Sequence, residues 1–311
     1  MRPVIPQIPL EILEKELNQD RFIRDTNNGG NELYVVNWHN SPNVVREIGR
    51  LREITFREAG GGTGLDCDLD EFDTAETCYE QLIAWNPVEK EIMGGYRYIR
   101  CADADRDSDG SYALATAELF TFSEKFIQEF LPYTIELGRS FVQPKYQPRP
   151  ENRKGLFTLD NLWDGLGAIH VDQPDIRYFF GKVTMYRHFN AEARDLILHF
   201  MQHYFPDREK LVNPVHPLPI LHDMLTFEQE LDNLPYKEGH RLLNQRVRNL
   251  GENIPPLVNA YMNLSATMRT FGTSLNPHFG DVEETGILVT LEDIYPSKTE
   301  RHVNSYSKKA G

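Results

Sequence analysis

The sequence is poor in cysteine, in long apolar runs and in net positive charge. Its 311 residues include only 3 cysteines, Cys67, Cys78 and Cys101. Their odd number and their spacing exclude a disulfide framework and a zinc motif, and favour a reducing compartment. No stretch approaches about 18 consecutive apolar residues, and Met1–Leu17 lacks the apolar run of a signal peptide. We therefore expect a cytoplasmic protein, and a transient contact with the inner-membrane surface stays open.

Positive charge is scarce and unevenly placed. Lys and Arg total 33 against 47 Asp and Glu, which gives a formal net charge of −14. A surface that binds nucleic acid needs a dominant positive field, so this balance argues against a nucleic-acid partner. Residues 66–80 hold seven acids and no base, whereas residues 143–154 are locally basic.

Helical and strand patterns are interleaved along the whole chain. Apolar spacing predicts helices at residues 10–17, 41–59, 123–130, 159–169, 190–205 and 255–268. Strands are predicted at residues 33–38, 79–86, 91–100, 133–142, 176–185 and 285–294. This order indicates an α/β fold, a mixed central sheet flanked by helices. We expect one domain over residues 1–311, with an insertion of helix and loop at about 206–253. Helices between the strands of the second half allow parallel pairing there.

An acidic run, Asp66–Glu76, carries the D-x-D-x-D spacing of some calcium loops. Such a loop needs a glycine at its sixth position and a glutamate at its twelfth. Counted from Asp66, those positions hold Glu71 and Thr77. The run therefore predicts no calcium site, and no other metal site is predicted. It is either a solvated loop or a set of carboxylates held for an amine or an arginine.

Two arginines lie in elements that should be at least half buried. Arg97 falls inside the strand at 91–100, and a buried arginine is normally paired. Asp70 and Asp73 are available for an ion-pair network, although an edge-strand arginine facing water is an equal alternative. Arg52 and Phe56 lie four residues apart and share one helix face. The alternative for this pair is a solvated arginine above a core phenylalanine.

The segment Glu136-Leu137-Gly138-Arg139-Ser140 interrupts a strand with a glycine. A glycine inside a strand is typical of a bulge or of a close approach between backbone and ligand. A bulge would free a backbone N–H to face a developing oxyanion.

These motifs occur in one order: LRxxTF, DxDEFD, GGYRYI, ELGRSFV, the LW of NLWDGL, and YFFGKVTM. Together they resemble the acyl-carrier-protein-dependent branch of the GNAT acyltransferase superfamily. Within it, the sequence is most similar to the N-acyltransferases that make ornithine lipids and glycine lipids, which have often been labelled hemolysin-like. The acyl-homoserine-lactone synthases are more distantly similar. The resemblance covers about residues 44–185 and two short segments near the C-terminus.

The homoserine-lactone synthases carry an Arg and a Phe on a helix, two carboxylates three residues apart, a strand Arg, and a Glu three residues before an Arg. The matching residues here are Arg52, Phe56, Asp70, Asp73, Arg97, Glu136 and Arg139. The Trp that follows the Phe in those synthases is absent, which disfavours S-adenosylmethionine as the amine donor. The lipid N-acyltransferases usually have a His after the carboxylates, where this chain has Cys78-Tyr79, so the amine stays open.

The resemblance implies an N-acyltransferase that uses no bound cofactor. It would move a long, 3-hydroxylated acyl group from acyl carrier protein, a 4′-phosphopantetheine thioester, to the α-amine of a small amino acid. Glycine is the first candidate for this amine and ornithine the second, in the first step of bacterial aminolipid synthesis. The alternatives are a signal synthase that uses S-adenosylmethionine and a non-catalytic module that binds lipid or a carrier protein.

The resemblance also implies roles for the matched residues. The implied catalytic residues are Glu136, Arg139 and Arg97. Glu136 is the candidate general base, directly or through water, because partial burial raises the pKa of a carboxylate; it could instead serve only as an ion-pair partner of Arg97 or Arg139. The residues implied to shape the amine pocket are Arg52, Phe56, Asp70 and Asp73. An arginine there would also hold an amino-acid carboxylate.

The acyl donor has its own implied residues. In GNAT folds its pantetheine arm enters between two splayed parallel strands, here 133–142 and 176–185, and backbone amides near Phe141 and Val142 would contact the arm and the oxyanion. The glycine-rich loop that cradles coenzyme A is replaced by QPKYQPRPENRKG, which disfavours coenzyme A. The same stretch holds the basic residues Lys145, Arg149, Arg153 and Lys154. They form either a docking site for an acidic carrier protein or a solvated loop.

Overall fold

The computed structural model describes residues 1–108, 110–147 and 157–307. Its helices are α1 (Leu10–Glu16), α2 (Pro42–Glu58), α3 (Glu71–Thr74), α4 (Thr158–Asp172), α5 (Ala191–Tyr204), α6 (Leu225–Leu231), α7 (Tyr236–Asn249), α8 (Pro256–Met262) and α9 (Pro296–His302). Its strands are β1 (Phe22–Asp25), β2 (Glu32–Val36), β3 (Glu80–Asn86), β4 (Glu91–Arg100), β5 (Phe120–Phe122), β6 (Thr134–Val142), β7 (Tyr178–Met185), β8 (Val212–Pro214), β9 (Arg269–Asn276) and β10 (Val282–Thr290).

These elements divide between two compact units. The first comprises Met1–Ala115, Leu131–Arg177 and Tyr295–Gly311, and the second comprises Thr116–Phe130 and Tyr178–Ile294. The first unit contains β1 to β4 and β6, and the second contains β5 and β7 to β10.

In the first unit the strands lie in the order β1-β2-β3-β4-β6, and each neighbouring pair is antiparallel. Helix α4 packs against β3, and a Cβ built on Gly165 would lie 2.6 Å from Cδ1 of Leu82. Successive side chains of a strand point to opposite faces. Gln81, which precedes Leu82, therefore points to the face away from α4.

Strands β4 and β6 approach each other closely at a glycine. A Cβ built on Gly94 would lie 2.4 Å from the carbonyl oxygen of Phe141. Because that atom belongs to the backbone and cannot move aside, the position accepts only glycine. The contact brings the carboxyl end of β6 against the start of β4.

In the second unit, β7, β10 and β9 form an antiparallel sheet in that order, and β5 pairs antiparallel with β8. The parallel pairing that the sequence allowed is therefore not found among these five strands. Helices α5 and α7 pack together through the rings of Phe200 and Tyr236, whose centroids are 5.8 Å apart. The predicted insertion at 206–253 contains β8, α6 and α7.

The predicted α/β fold, a large sheet flanked by helices, is confirmed. The two strands implied to splay are present as β6 and β7, one in each unit, and their splaying stays a prediction, as does the single domain. Strand β9 was not predicted, because the pattern extended the preceding helix to Met268, whereas α8 ends at Met262. Gly272 has a φ of +83° inside β9 and interrupts the alternation typical of a strand. The predicted helix at 123–130 contains a π-helical turn at Phe126–Phe130.

Candidate active site

The acidic run folds around the short helix α3, which directs its carboxylates toward one place. Asp70 is the N-cap of α3, and its Oδ1 accepts a hydrogen bond from the amide of Asp73 at 3.2 Å. In return, Oδ2 of Asp73 accepts one from the amide of Asp70 at 3.1 Å. This capping box fixes both carboxylates. The run is thus an ordered set of carboxylates, which excludes the alternative of a solvated loop at these two positions.

Arg52, on α2, is fully buried and binds this acidic segment. Its Nε donates to Oδ2 of Asp68 at 2.9 Å, and its Nη1 and Nη2 donate to the two carboxylate oxygens of Asp73 at 3.1 and 2.8 Å. A bidentate pair of this kind fixes geometry as well as charge. Because Arg52 is enclosed by protein and paired on both sides, it anchors the acidic segment on α2.

Asp73 is bound by two arginines at once. Burial alone would raise the pKa of this carboxyl, but the charges of Arg52 and Arg97 outweigh burial and hold the pKa of Asp73 well below its usual range. The side-chain amide of Gln81 donates a further hydrogen bond to Oδ1 of Asp73 at 2.9 Å. Asp73 is therefore ionised at every physiological pH and holds both guanidinium groups in place.

Arg97, on β4, joins the same carboxylates. Its Nη1 donates to Oδ1 of Asp70 at 2.6 Å and to Oδ2 of Asp73 at 3.1 Å. Its guanidinium carbon also lies 5.2 Å from the ring centroid of Tyr79 and 5.5 Å from that of Phe72, within cation–π range. The structure thus brings Arg97 together with the two aspartates expected from the sequence, and the alternative of an edge-strand arginine facing water is wrong.

Arg139 occupies a β-bulge in β6. The register between β4 and β6 shifts there, so that Arg139 and Ser140 together stand opposite a single residue of β4. Arg139 has a φ of +48°, in the left-handed region that residues other than glycine rarely adopt. A bulge was predicted from Gly138, and the structure contains it at the two residues that follow.

The guanidinium of Arg139 faces the same aspartates, at longer range. Its Nε lies 3.2 Å from Oδ2 of Asp68, and its Nη2 lies 3.6 Å from Oδ2 of Asp70. The carboxylate hydrogen bonds of Arg52 and Arg97 measure 2.6–3.1 Å. The side chain of Arg139 is 15% exposed, against 1% for Arg52 and 3% for Arg97. We call the six residues Arg52, Arg97, Arg139, Asp68, Asp70 and Asp73 the Arg–Asp cluster; their formal charges cancel.

Glu136, on β6, is buried and is oriented by a tyrosine. The hydroxyl of Tyr79 donates a hydrogen bond to Oε2 of Glu136 and accepts one from the amide of Ala115 at 3.0 Å. Burial, and after it the charge of Glu136, raise the pKa of Tyr79 well above its ordinary value. Tyr79 is therefore a neutral phenol whose proton points at the carboxylate, which fixes the orientation of Glu136.

The residues implied for the acyl donor lie at the end of β6. Phe141 is buried, and its carbonyl oxygen faces Gly94. The carbonyl oxygen of Val142 accepts a hydrogen bond from the side-chain amide of Gln147 at 2.9 Å. The end of β6 is thus held by contacts on both residues, which directly follow the bulge.

Of the predicted basic island, only Lys145 lies within the described residues. Its Nζ pairs with Glu91 at 2.7 Å and with Glu89 at 3.7 Å, so its charge is balanced locally. The other three residues of the island, Arg149, Arg153 and Lys154, lie outside the described residues.

Several residues of the site were not predicted. Asp68 stands two positions before Asp70, and it is recognised by its burial and its contacts with Arg52 and Arg139. Cys78-Tyr79 stands where the similar lipid N-acyltransferases usually have a His, and this departure is the sequence signal that points to Tyr79. Phe56, implied for the amine pocket, is buried on α2.

Within the described ranges, no group of three or more His, Cys, Asp or Glu side chains is arranged to hold a metal ion. The aspartates of the Arg–Asp cluster are instead bonded to guanidinium groups. Over the same residues, no helix combines the length and the apolar character needed to cross a membrane.

Comparison with known proteins gives full-length relatives. The model of the acetyltransferase (GNAT) domain family matches residues 51–153. A glycine N(alpha)-acyltransferase of Phocaeicola vulgatus is 52% identical over 309 residues, which cover 99% of this chain and 95% of that protein. A protein of the same name from Bacteroides thetaiotaomicron is 53% identical over 310 residues, covering 98% of this chain and 91% of that protein.

A solved structure shows a much weaker likeness. FeeM, an N-acyl amino acid synthase from uncultured soil microbes, is 8% identical, with a TM-score of 0.39, and the match covers 89% of this chain and 98% of that one. The likeness is too distant to support a conclusion about this chain.

The fold, the family match and these relatives define an acyltransferase of the GNAT type. At more than half identity over nearly its whole length, the chain belongs to the family of N-acyltransferases that contains both glycine N(alpha)-acyltransferases. The predicted family and enzyme class are confirmed, and a non-catalytic module is excluded.

Proposed function

We propose that this chain transfers a 3-hydroxy fatty acyl group from acyl carrier protein to the α-amine of glycine, the first step in making an aminolipid. The observation that carries the proposal is the 52–53% identity to two relatives named glycine N(alpha)-acyltransferase. Glycine, the first of the two amines implied by the sequence, is therefore the acceptor.

Amide formation from a thioester joins the amine nitrogen to the carbonyl carbon and breaks the carbon–sulfur bond. The amine must lose a proton, the carbonyl oxygen must be stabilised as charge develops on it, and the leaving thiolate must gain a proton. We assign the first task to Glu136, directly or through a water molecule. The hydrogen bond from Tyr79 supports this assignment, because a base acts efficiently only when its lone pairs are held in a fixed direction.

The donor's pantetheine arm is proposed to enter at the end of β6, where backbone amides near Phe141 and Val142 would face the oxyanion. The bulge at Arg139 and Ser140 supports this place, because it takes β6 out of regular pairing with β4 just before those residues. Since Lys145 is paired with glutamates, docking of the acidic carrier protein would depend on Arg149, Arg153 and Lys154. A transient contact with the inner membrane, where the product would be released, belongs to the same proposal.

Mass spectrometry of lipids from cells that express this chain tests the proposal. We expect a new N-acylglycine, absent from cells that express the Glu136→Gln variant. A new N-acylornithine in place of N-acylglycine, or the absence of any new N-acyl amino acid, would contradict the proposal.

The donor is tested separately with purified protein and two thioesters of the same acyl group, one on acyl carrier protein and one on coenzyme A. We expect the carrier-bound thioester to react faster. Charge reversal at Arg149, Arg153 and Lys154 together should raise KM for the carrier and leave KM for glycine unchanged. Equal use of both donors would contradict a carrier-specific enzyme.

A further inference from the structure

We infer that Arg139 binds the carboxylate of the acceptor amino acid and so distinguishes amino acids from simple amines. The inference rests on the proposed function, since it assigns a residue to the acceptor named there. It starts from the Arg–Asp cluster, in which three guanidinium groups lie side by side but differ in what they can reach.

Two of these guanidinium groups are enclosed by protein. Arg52 and Arg97 have side chains 1% and 3% exposed, and each forms hydrogen bonds of 3.1 Å or less with carboxylates of the cluster. A ligand cannot touch them without dismantling those pairs, and breaking a buried ion pair is strongly destabilising. The sequence suggested that an arginine of the cluster would hold the acceptor carboxylate, and burial rules out these two.

Arg139 is the accessible guanidinium, and its neighbour Asp70 is accessible as well. Its side chain is 15% exposed, and that of Asp70 is 30% exposed. The 3.6 Å between Nη2 of Arg139 and Oδ2 of Asp70 is longer than a hydrogen bond. An incoming carboxylate can therefore approach Arg139 from its exposed side, and Asp70 keeps its partner Arg97.

The backbone of Arg139 supports the same assignment. A residue other than glycine with φ near +48° costs on the order of 1 kcal/mol, and such strain is concentrated at functional sites. Because of the bulge, the side chain of Arg139 does not follow the regular alternation of side chains between the two faces of β6. Glycine at this position would remove the strain, so the presence of arginine indicates a need for its side chain.

The chemistry of the acceptor calls for such a group. A free amino acid carries its carboxylate two bonds from the attacking nitrogen, so a fixed carboxylate also fixes the direction of the amine. A guanidinium group binds a carboxylate through two parallel N–H donors, which an ammonium group cannot do. Arg139 and Glu136 belong to the same strand, and Tyr79, which donates to Glu136, also lies within cation–π range of Arg97 in the Arg–Asp cluster.

The test compares glycine with glycinamide, which has the same amine and no carboxylate. The ratio of their kcat/KM values, measured by thiol release from acyl carrier protein, reports recognition of the carboxylate alone. In Arg139→Gln we expect this ratio to fall about 10- to 100-fold, the loss of one charge-assisted pair. KM for the acyl carrier protein should stay unchanged, and Arg139→Lys should recover part of the ratio.

Two further variants keep the inference open to contradiction. Arg139→Gly relieves the backbone strain, so this variant should fold even if Arg139→Gln does not. Its ratio of kcat/KM for glycine to kcat/KM for glycinamide should fall as far as in Arg139→Gln. Arg100→Gln removes another partly exposed arginine of the first unit, paired with Asp175, and should keep the wild-type ratio. An equal loss on both acceptors in the Arg139 variants would overturn the inference while glycine remains the substrate. Failure of the wild-type protein to acylate glycine would overturn the proposed function as well.

Discussion

Tyr79 and Glu136 are joined by a hydrogen bond between two buried side chains that lie 57 residues apart in the chain. The phenol is neutral, donates to the carboxylate and is itself held by the amide of Ala115. The bond links the residue that precedes β3 to the third residue of β6. Tyr79 is thus a positioning residue for the candidate base.

Replacing Tyr79 with Phe tests this link. We expect kcat to fall by about 10- to 100-fold and KM for glycine to stay unchanged. The substitution removes the group that orients the Glu136 carboxylate, and it leaves the binding site for glycine intact. The free energy of unfolding should fall by about 1–3 kcal/mol, since Glu136 and the Ala115 amide each lose a partner. Steady-state kinetics and urea unfolding measure the two effects.

Tyr98→Phe is the matched control, because Tyr98 is a buried tyrosine of β4 whose side chain points to the opposite face of the sheet from Arg97. It should leave kcat unchanged. A Tyr79→Phe enzyme with full kcat would show that the phenol does not position the base.

Arg52 should matter for stability more than any exposed arginine. Arg52→Gln leaves Asp68 and Asp73 buried without their main counter-charge, and we expect a loss of about 3–5 kcal/mol in the free energy of unfolding. Arg187→Gln removes an arginine from an exposed pair with Asp281, whose side chains are 67% and 46% exposed. Solvent screening limits that loss to about 1 kcal/mol or less. Equal losses in the two variants, measured by urea unfolding, would contradict a buried anchoring role for Arg52.

The lowered pKa of Asp73 predicts a specific acid dependence of stability. The folded protein binds a proton at Asp73 less readily than the unfolded chain, whose aspartates titrate near about pH 3.9. The stability that ionised Asp73 contributes to the folded protein is therefore fully present above about pH 5. It is lost as the pH falls through about 4 toward the pKa of Asp73 in the folded state. Asp73→Asn should flatten the dependence of the urea midpoint on pH in that range. Parallel curves for the wild type and the variant would show that Asp73 does not carry the effect.

Two glycines near the site should lose very different amounts of stability on the same substitution. Gly94→Ala would place a Cβ 2.4 Å from the carbonyl oxygen of Phe141, so we expect a loss of about 1–3 kcal/mol or more in stability. Gly138→Ala would place its Cβ 3.7 Å from Nε of Arg97, which is ordinary contact, and should cost less than about 1 kcal/mol. Thermal unfolding of the two variants measures the difference. A larger loss at Gly138 would contradict the packing described between β4 and β6.

The sequence predicted the features of this site that local patterns encode. The bounds of β4 agree with the prediction, because the run contains several β-forming residues and Asn86-Pro87 opens the turn before it. The pairing of Arg97 with Asp70 and Asp73 followed from the rule that a buried arginine needs a counter-charge. The burial of Asp68 and the contact of Tyr79 with Glu136 depend on how distant segments pack, and no local pattern carries that information.

The strained backbone of Arg139 shows the same limit. A bulge was expected from Gly138, yet the left-handed residue is the arginine that follows it. Local preference would have placed glycine in that conformation, and tertiary contacts with Asp68 and Asp70 override it. Such an override at one position is typical of a functional site.

The rate of N-acylglycine formation by purified wild-type protein and by Glu136→Gln tests the central claim most directly. The assay contains glycine and a 3-hydroxyacyl acyl carrier protein, and mass spectrometry identifies the product. We expect the wild-type protein to form N-acylglycine, and Glu136→Gln to form it about 100- to 10,000-fold more slowly, with KM for the carrier unchanged. A Glu136→Gln enzyme that forms N-acylglycine at the wild-type rate would contradict the account.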